Sequence, residues 1–119
     1  MIFEQIVQIA PSGTIIPKPE SKGEFLIKGI GKRRGEEALI YFIPNNKNPQ
    51  KPYQKGITVS EFESAYDELT TSGRFTKDWF IRNLPKCNDE GSYNFTTIGG
   101  LFTLLGEAAY EERGFYLRV

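Results

Sequence analysis

The stretch from Asn94 to Gly106 is the most apolar helix-like run in the chain, and it limits how the rest can fold. Apolar side chains recur along one helical face, at Ile98, Leu101, Phe102 and Leu105. A further leucine makes the opposite side apolar too, so a helix of this composition must lie inside a domain. We predict a buried central helix that Asn94, Thr96 or Thr97 caps and that Gly106 ends.

Two adjacent glycines, Gly99 and Gly100, lie within this predicted helix. Each glycine costs about 1 kcal/mol relative to alanine in a helix interior, so a compensating interaction is required. One explanation is the close packing of another helix or strand against a surface without side chains. The alternative is an anion or carbonyl that approaches the amides near the helix N-terminus, with hydroxyls from Thr96 and Thr97.

The length of 119 residues suits a single domain that spans the whole sequence. Aromatic residues make up 13% and charged residues 25%, a balance typical of a folded soluble domain rather than a disordered chain. No run approaches the length of a membrane span, and no signal peptide is recognisable. Cys87 is the single cysteine, which excludes an internal disulfide and suits a reducing compartment. We expect a cytoplasmic protein that does not enter a membrane.

The first half of the chain shows patterns typical of strands. Phe3 to Ala10 indicates a strand, and Thr14 to Ile16 indicates a short edge strand because the prolines that follow lack ladder donors. Glu24 to Gly29 and Glu37 to Ile43 form the clearest pair, with Gly31 to Gly35 as a hairpin connection between them. The second arm is apolar on both sides, so we predict that it is central in its sheet.

Capping signals predict helices in the second half. Ser60-Glu61-Phe62-Glu63 matches a capping box, and Gly73 is suited to end the helix that follows it. Thr76 caps a second, short helix, in which Phe75 packs against Phe80 as a hydrophobic staple until Pro85 stops it.

The remaining segments complete the predicted fold. Pro44 to Gly56 indicates an exposed connection, Lys86 to Tyr93 a loop, and Glu107 to Arg113 an additional helical turn. Phe115 to Val119 indicates a last strand whose expected partner is the N-terminal sheet. The order predicts an α+β domain: an antiparallel sheet from the N-terminal strands plus the C-terminal strand, with three helices packed on one face.

The sequence contains no histidine, which removes the commonest general base and metal ligand. Cys87 has no histidine to activate it, although Lys86 or a helix end would favour a thiolate. The aspartates form no cluster with metal-binding spacing, and Pro19 to Lys22 lacks the preceding aspartate that a nuclease-type magnesium site needs. We therefore expect a protein that is not an enzyme and that has neither a metal nor a cofactor.

Charge is distributed unevenly along the chain although the formal net charge is zero. Residues 1–56 carry nine basic side chains against five acidic ones, and residues 57–119 carry six against ten, so the halves are +4 and −4. Either the two halves attract each other within one fold, or the first half presents a basic surface to an anionic partner.

The basic residues cluster at the predicted hairpin tip. Lys32, Arg33 and Arg34 suit contacts with nucleic-acid phosphates or another polyanion. Three further lysines would assist them: Lys28, Lys47 and Lys51. The alternative is a solvated turn that is kept polar for solubility.

The sequence thus favours a non-catalytic binding domain that contacts nucleic acid or another anionic macromolecule. A second hypothesis is a protein-interaction or self-assembling module, most simply a homodimer. That module would use surface aromatic residues, for which the candidates are Tyr53, Trp79, Phe115 and Tyr116.

Overall fold

A computed structural model describes residues 1–19 and 23–119 of the chain. Glu20 to Lys22, which belong to the segment considered above as a nuclease-type magnesium site, lie outside the described residues. The helices within the described ranges are α1 (Ile2–Ile9), α2 (Val59–Ser72), α3 (Lys77–Asn83), α4 (Pro85–Glu90) and α5 (Asn94–Leu104). The strands are β1 (Leu26–Arg33), β2 (Glu36–Ile43), β3 (Tyr53–Thr58), β4 (Arg74–Thr76), β5 (Ala108–Glu112) and β6 (Phe115–Arg118). None of these helices is long and apolar enough to cross a membrane.

The strands form two antiparallel sheets, so the protein belongs to the predicted α+β class. The N-terminal sheet has the order β1-β2-β3, and the C-terminal sheet has the order β4-β6-β5. Strand β2 is central in its sheet, as the sequence predicted. Ile15 pairs with Leu26 through an isolated bridge at the β1 edge, consistent with the short edge strand that was predicted there.

The predicted central helix is confirmed as α5. Ile98, Leu101 and Phe102 are fully buried, and Phe102 packs edge to face against Tyr66 and Phe75 at centroid distances of 5.8 and 6.0 Å. The predicted cap is wrong, because no side chain caps the first turn of α5. The Asn94 side chain is instead buried, where it accepts a hydrogen bond from the Tyr41 hydroxyl and donates one to the Cys87 carbonyl.

The other helix boundaries are partly as predicted. Gly73 ends α2 in the left-handed conformation at φ 82°, and Thr76 caps α3 by accepting from the Trp79 amide at 3.1 Å. The capping box of α2 lies two residues earlier than predicted, because Thr58 accepts from the Glu61 amide at 3.2 Å and donates its own amide to Glu61 at 2.9 Å. Ser60 donates instead to Glu36 of β2.

The first predicted strand, Phe3 to Ala10, is wrong because this segment forms α1. The buried side chains Ile2, Phe3, Ile6 and Ala10 recur at helical spacing. β-Branched residues favour a strand only weakly, and the burial of a helical apolar face outweighs that preference.

Three further segments differ from the prediction. The connection predicted from Pro44 to Gly56 ends early, because Tyr53 begins β3, a mostly polar edge strand with few apolar residues to reveal it. The loop predicted from Lys86 to Tyr93 contains most of α4, which Pro85 begins. Instead of a helical turn, Glu107 to Arg113 contains β5.

The C-terminal strand exists as predicted, but its predicted partner is wrong. Strand β6 pairs with β4 and β5, with Phe75 and Tyr110 opposite Tyr116 on its two sides. A two-residue turn at Arg113 and Gly114 joins β5 to β6. Such a local hairpin closes a much shorter loop than a pairing with the N-terminal sheet would, at a smaller entropic cost.

Candidate functional site

The predicted basic tip is a two-residue turn rather than a five-residue loop. Arg34 and Gly35 connect β1 to β2 with φ angles of 51° and 77°, as a type I′ turn requires. Lys32 and Arg33 therefore belong to β1, where they lie opposite Glu37 and Glu36. These two glutamates reduce the positive charge at this end of the hairpin.

Arg34 turns inward and joins the hairpin to two helices. Its guanidinium forms salt bridges with Glu61 of α2 and Glu90 of α4, and its side chain is only 19% exposed. Burial opposes the charge, but the hydrogen bonds and Coulombic attraction from Glu90 and Glu61 outweigh it and raise the pKa of Arg34. The charge of Arg34 is thus already compensated within the chain.

Lys28 and Arg33 meet on the opposite side of the sheet from the helices. The Lys28 ammonium donates to the Gln54 side-chain oxygen at 3.0 Å, and the Arg33 guanidinium donates to the Gln54 carbonyl at 3.4 Å. Leu39 and Tyr41 of β2 belong to the main core, so the alternation of side chains places Phe42 and Gln54 on the other face. We call this the outer face of the N-terminal sheet.

Glycines shape the surface of the outer face. An added Cβ on Gly56 would lie 2.5 Å from Cγ of Arg33, and one on Gly31 would lie 2.7 Å from Cγ1 of Ile40. The stem of Arg33 and the side chain of Ile40 therefore lie flat across neighbouring strands. Ile40 is only 5% exposed as a result.

Lys47 and Lys51 lie in the connection between β2 and β3, at the end of the sheet opposite Arg34. The eight-residue strand β2 separates the two ends by about 24 Å. The six predicted contact residues therefore do not form one cluster. Lys28 and Arg33 lie on the outer face, Lys32 lies opposite Glu37 on the other face of β1, and Arg34 faces the helices.

The glycines of α5 are explained by packing. An added Cβ on Gly99 would lie 2.2 Å from Cε2 of Tyr116, and one on Gly100 would lie 2.2 Å from the carbonyl oxygen of Pro17. Both glycines are buried and lie beyond the first turn, whereas Thr96 is half-buried and Thr97 is buried within it. An anion therefore has no room beside Gly99 and Gly100 on the side that Tyr116 and Pro17 occupy.

Cys87 lies in the core, and burial raises the pKa of its thiol. A thiol in this environment is a poor nucleophile, because the thiolate is the reactive form. Within residues 1–19 and 23–119, no group of three or more cysteine, aspartate or glutamate side chains is arranged to hold a metal ion.

The aromatic residues of the second hypothesis differ in exposure. Tyr53 is 51% exposed, whereas Trp79 and Phe115 are half-buried. Tyr116 is buried, so its predicted role as a surface aromatic is wrong. A neighbouring Phe75 on β4 and Tyr110 on β5 enclose it from both sides of β6.

Gln54 is the residue of the outer face that the sequence did not indicate. It lies in a segment that was predicted to be an exposed connection, and its role depends on the pairing of β3 with β2. No family model matches the sequence, and no curated protein or solved structure shows significant similarity to the chain.

Proposed function

We propose that the protein is a non-catalytic binding module that contacts nucleic-acid phosphates through the outer face of the N-terminal sheet. The observation that carries the proposal is the convergence of Lys28 and Arg33 on Gln54, which fixes two cations on one face. The exposed Lys32 is next to Arg33 near the end of β1 but points to the other face, opposite Glu37, and we include it as a third contact at the end of the hairpin. Arg34 is not part of the proposed contact, because its guanidinium already forms salt bridges with two glutamates of the same chain.

The shape of the outer face suits an extended chain of phosphates better than a compact ligand. Gly31 and Gly56 carry no side chains there, and the stem of Arg33 lies flat. Phe42 is half-buried, with the Lys28 ammonium 5.9 Å from its ring centroid, so the ring is available for stacking with a base. We expect no sequence preference, because phosphate contacts position a protein whereas base edges specify the sequence.

Fluorescence anisotropy with labelled single- and double-stranded DNA and RNA, measured against salt concentration, tests the proposal. Three neutralised phosphates predict a slope of log affinity against log salt of about −2.7 for duplex DNA and about −2.1 for a single strand. Raising the salt from about 50 to about 200 mM should then weaken duplex binding about 40-fold.

Two triple variants with the same change in charge make the test specific. Replacement of Lys28, Lys32 and Arg33 by Gln should abolish the slope while retaining most of the side-chain stems. A control replaces three cations of other elements by Gln: Arg74, Arg82 and Lys86. The proposal fails if the wild-type protein does not bind at about 50 mM salt, or if the control weakens binding as much as the first triple.

The second candidate is self-association, for which apolar exposure along the β1 edge is the favouring observation. Ile15 and Ile30 are each 55% exposed, and Leu26 is 36% exposed. Sedimentation at micromolar concentration should give twice 13.5 kDa on this hypothesis. Ile30→Lys should then return the protein to a monomer.

For both candidates we propose a cytoplasmic location, because a single unpaired cysteine suits a reducing compartment.

A further inference from the structure

A cleft of about 420 Å³ lies where the segment before β1, the start of α5 and the β5–β6 hairpin meet. We call it the basic cleft, and its principal lining residues are Lys18, Phe25, Lys77, Tyr93, Tyr110 and Arg113. Its volume falls within the range of small-molecule sites, about 300 to 1,000 Å³. It is separate from the outer face, because none of the cations proposed for nucleic-acid contact lines it.

Among the residues that the structure describes, no acid neutralises the cations of the basic cleft. No aspartate or glutamate of the described residues lines the cleft, and Lys18, Lys77 and Arg113 form no salt bridge within the described part of the chain. Burial lowers the pKa of Lys18 and of Lys77. An anionic ligand gains the most binding free energy from cations that are partly desolvated and have no carboxylate partner.

The two lysines are held in place by uncharged groups. The Lys18 ammonium lies 3.7 Å from the ring centroid of Phe25. The Lys77 ammonium donates to the carbonyl of Ser92 and lies 5.4 Å from the ring centroid of Phe95. An ammonium has three N–H donors, so Lys77 retains two for a ligand.

Aromatic rings form much of the remaining lining. Phe25 and Tyr93 pack edge to face at 5.8 Å, as do Tyr110 and Tyr116 at 5.7 Å. Tyr93 is half-buried and Tyr110 is 37% exposed, so both rings present surface to the cleft. A planar aromatic ligand can stack on such rings without reading any particular hydrogen-bonding edge.

Tyr116 adds a polar group to this lining. It is 2% exposed, and its hydroxyl has no hydrogen-bond partner among the residues that the structure describes. A buried hydroxyl is normally paired, so each exception requires an explanation. A polar ligand atom in the cleft is one partner that would satisfy it.

We propose that the basic cleft binds a phosphorylated aromatic compound of the size of a nucleoside monophosphate. Its phosphate lies against Lys18, Lys77 and Arg113, and its ring stacks on Tyr93 or Tyr110. A free nucleotide and the phosphorylated 5′ end of a nucleic-acid strand share this chemistry. The cleft does not depend on the outer face, so the two proposals stand or fall separately.

Isothermal titration calorimetry with AMP, adenosine and inorganic phosphate tests the proposal. AMP should bind about tenfold more tightly than either fragment, because only AMP uses both the cations and the rings. Short oligonucleotides with and without a 5′-phosphate distinguish the two sources. Preference for AMP assigns a free nucleotide, and preference for the phosphorylated oligonucleotide assigns a strand end.

Variants locate the binding. Arg113→Ala changes an exposed side chain and should weaken AMP binding about tenfold, and Lys77→Met should do the same if the variant folds. Lys86→Met removes an exposed cation of α4 outside the cleft and should have no effect. The triple variant of Lys28, Lys32 and Arg33 should also bind AMP normally.

Three results overturn the proposal. The first is the absence of binding by both AMP and the phosphorylated oligonucleotide at about 5 mM. The second is binding of inorganic phosphate as tight as that of AMP. The third is unchanged AMP affinity in a folded Arg113→Ala variant.

Discussion

The ring of Tyr116 lies directly against Gly99, in space that a Cβ would otherwise occupy. An added Cβ would fall 2.2 Å from Cε2 and 2.3 Å from Cζ of that ring. The contact joins the middle strand of the C-terminal sheet to the central helix, and its closeness offsets the helix-propensity cost of the glycine.

Gly99→Ala is therefore expected to lower the free energy of unfolding. Alanine gains about 1 kcal/mol in helix propensity, but overpacking of a filled core typically costs about 1 to 3 kcal/mol. Urea unfolding should give a net loss, and the same substitution should cost less in a Tyr116→Leu background, where the ring that the Cβ would meet has been removed. Leu104→Ala, at a 39% exposed position of the same helix, serves as the control and should cost much less. A more stable Gly99→Ala variant would contradict the packing explanation.

Phe102→Ala should lower the free energy of unfolding by about 3 to 5 kcal/mol. Phe102 is fully buried and contacts the rings of Tyr66 and Phe75, so its removal loses transfer energy and leaves a cavity. Chemical denaturation measures the change. A loss below about 0.5 kcal/mol, as is usual for surface substitutions, would contradict the central position of α5.

Arg34→Met should lower the free energy of unfolding. It tests the structural role of Arg34 and not the proposed contact with nucleic acid. The substitution leaves Glu61 and Glu90 without their partner, which costs about 3 kcal/mol at the lower end of the range for buried pairs. Adding Glu61→Gln should recover part of the loss by removing one unpaired charge. Lys86→Met is the matched control at an exposed position. Equal melting temperatures for the Arg34 variant and the control would rule out the joining role of Arg34.

Alkaline pH should weaken the fold partly through Tyr116. Burial raises the pKa of its hydroxyl from 10.0 to about 12, so the folded state favours the neutral phenol. That contribution is fully present below pH 10 and is lost as the pH rises through about 12. The loss amounts to at most about 2.7 kcal/mol for a shift of two pKa units.

Tyr116→Phe should flatten this dependence. Urea unfolding between pH 9 and 11.5 should show a smaller loss of stability in the variant than in the wild-type protein. Some dependence should remain, because burial also raises the pKa of Tyr41. Identical pH profiles would show that the Tyr116 hydroxyl ionises as readily in the folded as in the unfolded state.

Local sequence patterns were sufficient for several elements. The apolar spacing of α5, the Thr76 cap, the Gly73 end and the β1–β2 hairpin were all predicted, because each depends on residues a few positions apart. Helix α1 was predicted as a strand, because its β-branched residues favour that conformation. Strand β3 was not predicted, because an edge strand with mostly polar residues has almost no apolar periodicity.

The candidate sites depended much more on distant contacts. The sequence identified Lys28, Lys32, Arg33 and Arg34 as basic residues near one hairpin, but it did not indicate which of them would remain available. Glu61 and Glu90 lie 27 and 56 positions from Arg34, and only the packing of α2 and α4 on the hairpin brings them to it. The basic cleft likewise joins Lys18, Lys77 and Arg113 from three separate parts of the chain.

The sequence by itself determined the α+β class, the buried central helix and the first hairpin, because local periodicity sets which face of a segment must be buried. The tertiary structure decided the partners of β6, the inward position of Arg34 and the existence of the cleft. The physical reason is separation along the chain. Hydrogen bonds and ion pairs form between residues that the packed core brings close in space, and local sequence spacing does not predict which distant residues these will be.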